Sequence, residues 1–383
     1  MSHLRRTAIV MSRLPRLIDP HATWVVGLRA AIQRVKERGD LLVLVEGTAG
    51  FDFVRRAAER AGVPIEIVTP EPATDMPGDV TAVPSRDRTL VQSANTVLVL
   101  GTRTNGNIHR VLCERLNTGG AVELVELEGL QPRAVREDLI SHGALLWVPP
   151  QIGPLPQVAS NRPQPPNVIE IVPFPSVEEW TFLSHTTRAC AGPWPGESHT
   201  EYVDSLLEGQ DSADHSAVAT LTRIITQRKL VAGNRTIRGE YPMVCLTEVP
   251  LLELPHLRQF RTHRTRWDFE PFGLCLRKQW LIDRGARPVI YGDERLWDEL
   301  TDADRPFFQR NHPARIDSAA GRQEIDWSVE REWRHQGDLD LSELGASDAL
   351  VFVPNFQAVE HLAMVSPWPL TLWPDPSFLM PRD

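Results

Sequence analysis

Two glutamates, Glu330 and Glu332, stand two residues apart in the run WSVEREWR, and a histidine, His185, stands far upstream in FLSHTTR. A carboxylate beside a carbon that is losing its leaving group stabilises the positive charge that forms there. A second carboxylate nearby can position or deprotonate the incoming nucleophile. His185, with the hydroxyls of Thr186 and Thr187 and the guanidinium of Arg188, offers hydrogen bonds suited to ribose hydroxyls or an amide. If WSVEREWR is a strand, both glutamates point to one face, which is costly unless a cation or ligand compensates. Arg331 and Arg334 are near enough in sequence to do so. As a helix the run is a charged surface, and His185 taken alone reads first as a satisfied polar-loop histidine. Glu248, before Pro250 in YPMVCLTEVPL, either faces solvent or lines a cleft.

A second group lies in the first half of the chain. Small and polar residues follow three apolar runs: Ser12 and Arg13; Gly47, Gly50 and Asp52; Gly101, Thr102 and Gly106. Glycine lets the backbone turn tightly and lets a ligand approach, while N–H groups at a helix start attract phosphate. Asp52 can cap its helix or accept a ribose hydroxyl. Strand-to-helix turns need glycine whether or not anything binds, but three such ends together point to a nucleotide.

These residues need elements to position them. In the first 150 residues, apolar runs (TAIVMS, LLVLVE, PIEIV, ANTVLVLG, AVELVEL) alternate with helical patterns such as Trp24, Leu28, Ile32 and Val35, stopped by Gly39. This predicts an α/β fold, a Rossmann-like parallel sheet covered by helices on both faces. Proline density marks 151–175 as a linker. Residues 176–383 read as an α+β domain on a mixed or antiparallel sheet, with SAVATLTRIITQRKLV as an amphipathic helix.

The chain has 383 residues and a formal net charge of −9, which disfavours broad binding of a phosphate backbone. Cys113, Cys190, Cys245 and Cys275 are widely spaced, so neither a disulfide framework nor a zinc cluster is expected. No run approaches about 20 apolar residues. The expectation is a cytoplasmic protein with no metal and no membrane partner.

LLVLVEGTAGFDFVRRAAERAGVPIEIV and SANTVLVLGTRTNGNIHRVL resemble the glycine turns of SLOG domains, Rossmann-like units shared by DprA-type DNA-processing proteins and nucleotide sensors. The turn GTRTNGNIHR lacks the P-G-G-x-G-T-x-x-E signature of the cytokinin-activating branch, so the resemblance implies nucleotide binding rather than phosphoribohydrolysis. In the second half, EYPMVCLTEVPL, EPFGLCLRKQWLIDRGARPVIYG and VEREWR resemble AbiGi-type abortive-infection proteins. More distantly, a strand-end His-x-Thr followed by E-x-E resembles the ADP-ribosyltransferase fold, which implies NAD as substrate and the last glutamate at the nicotinamide ribose.

Three functions follow as expectations. The first is a bacterial anti-phage effector that binds a nucleotide-derived signal and cleaves NAD or transfers ADP-ribose to a macromolecular acceptor, with oligomers open. The second is a non-enzymatic nucleotide-binding regulator. The third is a nuclease-like toxin gripping its target through the arginines of RQFRTHRTR.

Overall fold

In the computed structural model, the described residues are 4–12, 14–15, 18–70, 83–150, 171–234, 237–261, 266–311 and 326–374. They belong to two compact units, Met1–Ser160 with Ala191–His215, and Asn161–Cys190 with Ser216–Asp383. Most of the proline-rich stretch, 151–170, lies outside the described residues. Among the described residues no helix is long and apolar enough to cross a membrane.

The first unit runs β1 (Arg6–Met11), α1 (Thr23–Arg38), β2 (Leu41–Leu44), α2 (Phe51–Ala61), β3 (Ile65–Ile67), α3 (Ser85–Gln92), β4 (Thr96–Gly101), α4 (Asn107–Asn117), β5 (Ala121–Val125), α5 (Arg133–Ser141) and β6 (Leu145–Trp147). All its strands are parallel, in the order β3-β2-β1-β4-β5-β6. The central runs, β1, β2, β4 and β5, are buried on both faces, as in Ile9 and Leu98 on one side and Val10 and Val99 on the other, while the edge strands β3 and β6 stay partly exposed. Gly39 and Gly62 close α1 and α2 in the left-handed conformation. The order reverses between β1 and β4, where crevices form in such sheets.

One more helix completes this unit. After β7 (Phe182–Thr186), the chain enters α6 (His199–Glu208), started by a capping box between Ser198 and Glu201. Tyr202, Val203, Leu206 and Leu207 join the core formed by α1, α2 and their strands. Arg56 on α2 makes two bonds to Asp204, at 2.7 and 2.6 Å, and Arg60 pairs with Asp204 and Glu208. The Arg56 guanidinium holds the Asp204 carboxyl below the usual carboxylate range.

Because α6 supplies core to the first unit, a break before it should not part the chain. A specific protease site inserted within 151–170 is expected to give two fragments that co-elute under native conditions, since burial of four apolar side chains is lost on separation. Size-exclusion chromatography of the cut protein checks this, and separate elution would refute it.

The second unit continues with α7 (Ala217–Gln227), β8 (Lys229–Leu230), β9 (Met243–Thr247), α8 (Leu254–Leu257), β10 (Phe260–Arg261), β11 (Arg266–Trp267), β12 (Gly273–Arg277), α9 (Lys278–Ile282), β13 (Arg287–Pro288) and β14 (Ile290–Gly292). It ends with α10 (Glu294–Glu299), β15 (Phe308–Arg310), β16 (Glu332–Gln336), β17 (Leu339–Asp340), β18 (Ala349–Val353), α11 (Phe356–Ala363) and β19 (Leu370–Leu372). Its main sheet is mixed, in the order β13-β16-β9-β7-β12-β18-β19. Alternation sends Leu183, Val244, Leu246, Leu274, Trp333 and Val351 into one core with α7 and α11. The other face carries Phe182, Cys275 and Phe352 in a second core, and the cleft described next.

Candidate functional site

The main sheet is open at its middle. β7 and β9 share a single registered pair, Ser184↔Thr247, whereas β7 pairs with β12 over five residues and β16 with β9 over five. A cleft of about 170 Å³ lies at this opening. β7 contributes Ser184, His185 and Thr186, β9 contributes Cys245 and Thr247, and β16 contributes Glu332 and Arg334. Arg188 and Glu330 also line it.

His185 bridges the gap where ladder bonds are missing. Its Nδ1 lies 2.9 Å from the Cys245 carbonyl, and since a carbonyl only accepts, Nδ1 carries the proton. Nε2 is then the acceptor. Burial, reinforced by the charge of Arg188, pushes His185 below the ordinary histidine value despite that bond, so the ring is neutral. Gly273 fixes the same strand end: a Cβ there would meet the His185 carbonyl oxygen at 2.0 Å. Only glycine fits.

Glu332 opens β16 and is held by Arg334, which is 1% exposed. Arg334 donates through Nε and Nη2 to the two Glu332 oxygens at 3.0 and 3.2 Å. Its remaining N–H groups reach the carbonyls of Pro306 (3.2 Å) and Phe308 (2.8 Å) and Gln309 Oε1 (2.8 Å). All five guanidinium N–H groups are satisfied. The Glu332 backbone N–H donates to the Tyr291 hydroxyl at 3.0 Å, and burial pushes that phenol up to about 12. Cys245 lines the cleft beside Glu332; burial first, then the Glu332 charge, keeps it a thiol.

Glu330 reaches the cleft by another route than the sequence pattern implies. Alternation on one strand would put both glutamates on one face, but β16 begins at Glu332 and Glu330 ends a 3-10 turn, Trp327–Glu330. Arg331 between them is left-handed, with φ 44°. Thr247 positions this turn: its hydroxyl donates to the Glu330 carbonyl at 2.6 Å and accepts from the Val249 N–H at 3.0 Å. Of the two arginines considered as compensating cations, Arg334 serves Glu332, while Arg331 lies 3.9 Å from Glu248.

Glu248 is not among the cleft-lining residues. It pairs with Lys278 Nζ and accepts from the Trp333 indole at 2.9 Å, and those bonds hold its carboxyl low against the opposing effect of burial. Arg188, which lines the cleft, has a buried Nε without a partner, whereas Thr187, 2% exposed with an unpartnered hydroxyl, is not among the lining residues. A buried guanidinium N–H without a partner at a cleft is a group for a ligand to satisfy. Thr247 and Gln309 were missed by the sequence reading; alternation from Cys245 places Thr247 on the cleft face, but no local pattern marks Gln309.

In the first unit the strand ends gather at the β1/β4 reversal and satisfy one another. The Ser12 backbone N–H donates to the Gly101 carbonyl at 2.8 Å, its hydroxyl accepts from the Arg103 N–H at 3.1 Å, and it lies 3.4 Å from Thr102 Oγ1. Gly47 turns at φ +76°, and Gly50 and Gly106 precede α2 and α4 as N-caps. Asp52 sits in the first turn of α2 without capping it through its side chain. A Cβ on Gly50 would meet the Met11 sulfur at 2.8 Å, so this glycine admits Met11; the space left there is about 10 Å³. Arg13 lies outside the described residues.

Ligand atoms of His109, Cys113 and Asp138 lie within 4.8 Å of one another. His109 Nδ1 accepts from the Asn105 N–H at 3.2 Å, which puts the proton on Nε2, 2.9 Å from Asp138 Oδ2 though poorly aligned with it. A metal-bound imidazole has the reverse arrangement, donating from its second nitrogen. Burial and Asp138 also keep Cys113 a thiol. We assign the group to packing between α4 and α5.

No protein-family model matches the chain, and no curated protein matches it. Solved structures similar to part of it include the molybdenum cofactor carrier protein of Chlamydomonas reinhardtii (16% identity, TM-score 0.29, covering 38% of this chain and 91% of that one). DNA processing protein A (DprA) of Streptococcus pneumoniae is 16% identical with TM-score 0.29, over 38% of this chain and 58% of that one. The molybdenum cofactor binding protein of Rippkaea orientalis is 11% identical with TM-score 0.29, over 39% of this chain and 92% of that one.

Proposed function

We propose that the cleft at the opening of the second unit's sheet binds NAD and breaks its nicotinamide–ribose bond. The observation that carries this is the convergence of His185, Glu330 and Glu332 on one cleft, beside the unpartnered Nε of Arg188. His185 Nε2 accepts a hydrogen bond from a ribose hydroxyl, and Arg188 takes the pyrophosphate. As the bond breaks, nicotinamide leaves with the electron pair and C1′ becomes an oxocarbenium, which the Glu332 carboxylate stabilises. The oxygen of water or of a macromolecular acceptor then attacks C1′ and gives its proton to Glu330. NAD and a hydroxyl compound become nicotinamide, the ADP-ribosyl product and a proton.

On this reading the first unit binds a nucleotide or nucleotide-derived signal at the β1/β4 strand ends, and the whole chain acts as an abortive-infection effector. The test is release of nicotinamide from NAD by the purified chain, with and without a nucleotide mixture. Release above the uncatalysed rate is expected. Nucleotide binding by calorimetry without any release would replace the enzyme with a regulatory protein.

A further inference from the structure

Arg334 holds more than Glu332. Its Nη2 donates to Glu332 Oε2 at 3.2 Å and to Gln309 Oε1 at 2.8 Å, so a carboxylate and an amide meet on one nitrogen. A guanidinium only donates, which fixes the atom of Gln309 that faces it as the oxygen. The amide nitrogen therefore turns away from Arg334. Gln309 lines the cleft, and among the described residues its Nε2 has one protein acceptor, the Arg310 carbonyl at 3.4 Å. That is long for an N–H···O bond, and a primary amide carries two N–H groups, so at least one remains for a ligand.

The amide and the carboxylate share one frame. Gln309 follows Phe308, whose carbonyl accepts from Arg334 at 2.8 Å, and it lies in register with Tyr291 across the β14–β15 pair. Tyr291 in turn accepts from the Glu332 backbone N–H at 3.0 Å. The cleft thus presents a pure acceptor beside a donor, both oriented by the same neighbours. The group that suits such a pair is a hydroxyl, which donates one bond and accepts another. A carboxylate placed beside C1′ reaches the hydroxyl on the adjoining ring carbon, the 2′-hydroxyl.

We propose that Gln309 is a specificity-determining residue: its amide N–H donates to the 2′-hydroxyl of the sugar while that hydroxyl donates to Glu332, so the cleft takes ribosides and rejects 2′-deoxyribosides. The inference rests on the reading of the cleft given above. The N–H is oriented before the ligand arrives, and a 2′-deoxy sugar leaves both it and the carboxylate lone pair unanswered. Gln309 acts on the choice of sugar, whereas Glu332 also acts on the charge at C1′.

The test compares the full chain with Gln309→Met on NAD and on the NAD analogue lacking the 2′-hydroxyl of the nicotinamide sugar. Each kcat/KM for nicotinamide release is divided by the uncatalysed rate of the same compound, because the two bonds differ in intrinsic lability. Wild type should prefer NAD by roughly a hundredfold or more, and the variant should lose about tenfold on NAD with little change on the deoxy analogue. Equal losses on both sugars would make Gln309 a structural residue, and a wild type without preference refutes the hydroxyl reading. An analogue lacking only the 3′-hydroxyl should still show the loss in the variant; its disappearance there overturns the assignment to the 2′ position. Arg334 Nη2 keeps Glu332 as a partner in Gln309→Met. If that variant does not fold, Gln309→Glu, which retains an oxygen for Arg334 but no N–H, is read the same way. Calorimetric binding of both compounds is measured alongside. Binding without nicotinamide release removes the enzyme, and the same comparison of affinities then decides Gln309. A wild type that binds neither compound overturns both proposals.

Discussion

Replacing Glu332 by glutamine is expected to reduce nicotinamide release from NAD by roughly two or more orders of magnitude, the cost typical of losing one preorganised electrostatic group. The amide keeps the shape but not the charge that opposes the oxocarbenium. One of its atoms still accepts from Arg334, whereas its NH2 faces a guanidinium N–H that had bonded a carboxylate oxygen. Some stability is lost with it, so turnover must be compared where thermal unfolding shows both proteins folded. NAD binding should change much less than turnover. His185→Ala should show the opposite split, weaker binding with a smaller effect on the bound rate. A folded Glu332→Gln protein that turns over at the wild-type rate would remove Glu332 from the mechanism.

Arg334→Met is expected to destabilise the second unit by about 3–5 kcal/mol, the range for removing one partner of a buried ion pair. The methionine fills much of the space but leaves the Glu332 carboxylate, two carbonyls and Gln309 without their donors. Arg334→Lys should recover only part of the loss, since one ammonium with three donors cannot serve five acceptor bonds in a plane. Urea unfolding followed by tryptophan fluorescence measures the change, because Trp333 lies on the same strand. A loss under about 1 kcal/mol, the value of an exposed pair, would show that Arg334 is not the anchor of this wall.

Much of the fold was legible in the chain. The central apolar runs of the first half are strands buried on both faces, PIEIV forms a partly exposed edge strand, and Gly39 and Gly62 stop the helices that the periodicity predicts. The amphipathic run after Ser216 is α7. α6 was not read from the sequence, although Ser198 and Glu201 form the S-x-x-E box that announces a helix start. Even with that helix recognised, nothing local says that it completes the core of the first unit, because its partners Arg56 and Arg60 lie about 150 residues upstream.

The candidate site divides the same way. Spacing, and the resemblance of His-x-Thr followed by E-x-E to the ADP-ribosyltransferase fold, marked His185, Glu330 and Glu332 as chemistry-bearing. Only the tertiary structure decided how they meet. The sheet opens between β7 and β9, the left-handed Arg331 turns Glu330 off the strand that carries Glu332, and Glu248 is drawn into bonds with Lys278 and Trp333 instead of lining the cleft. Alternation and helical period are set by the chain's own geometry over a few residues, so a sequence determines them locally. Which strand pairs with which, and where a pair parts, depends on side chains distant in sequence: Gly273 admitting the His185 carbonyl and Arg334 filling the space before Pro306 and Phe308.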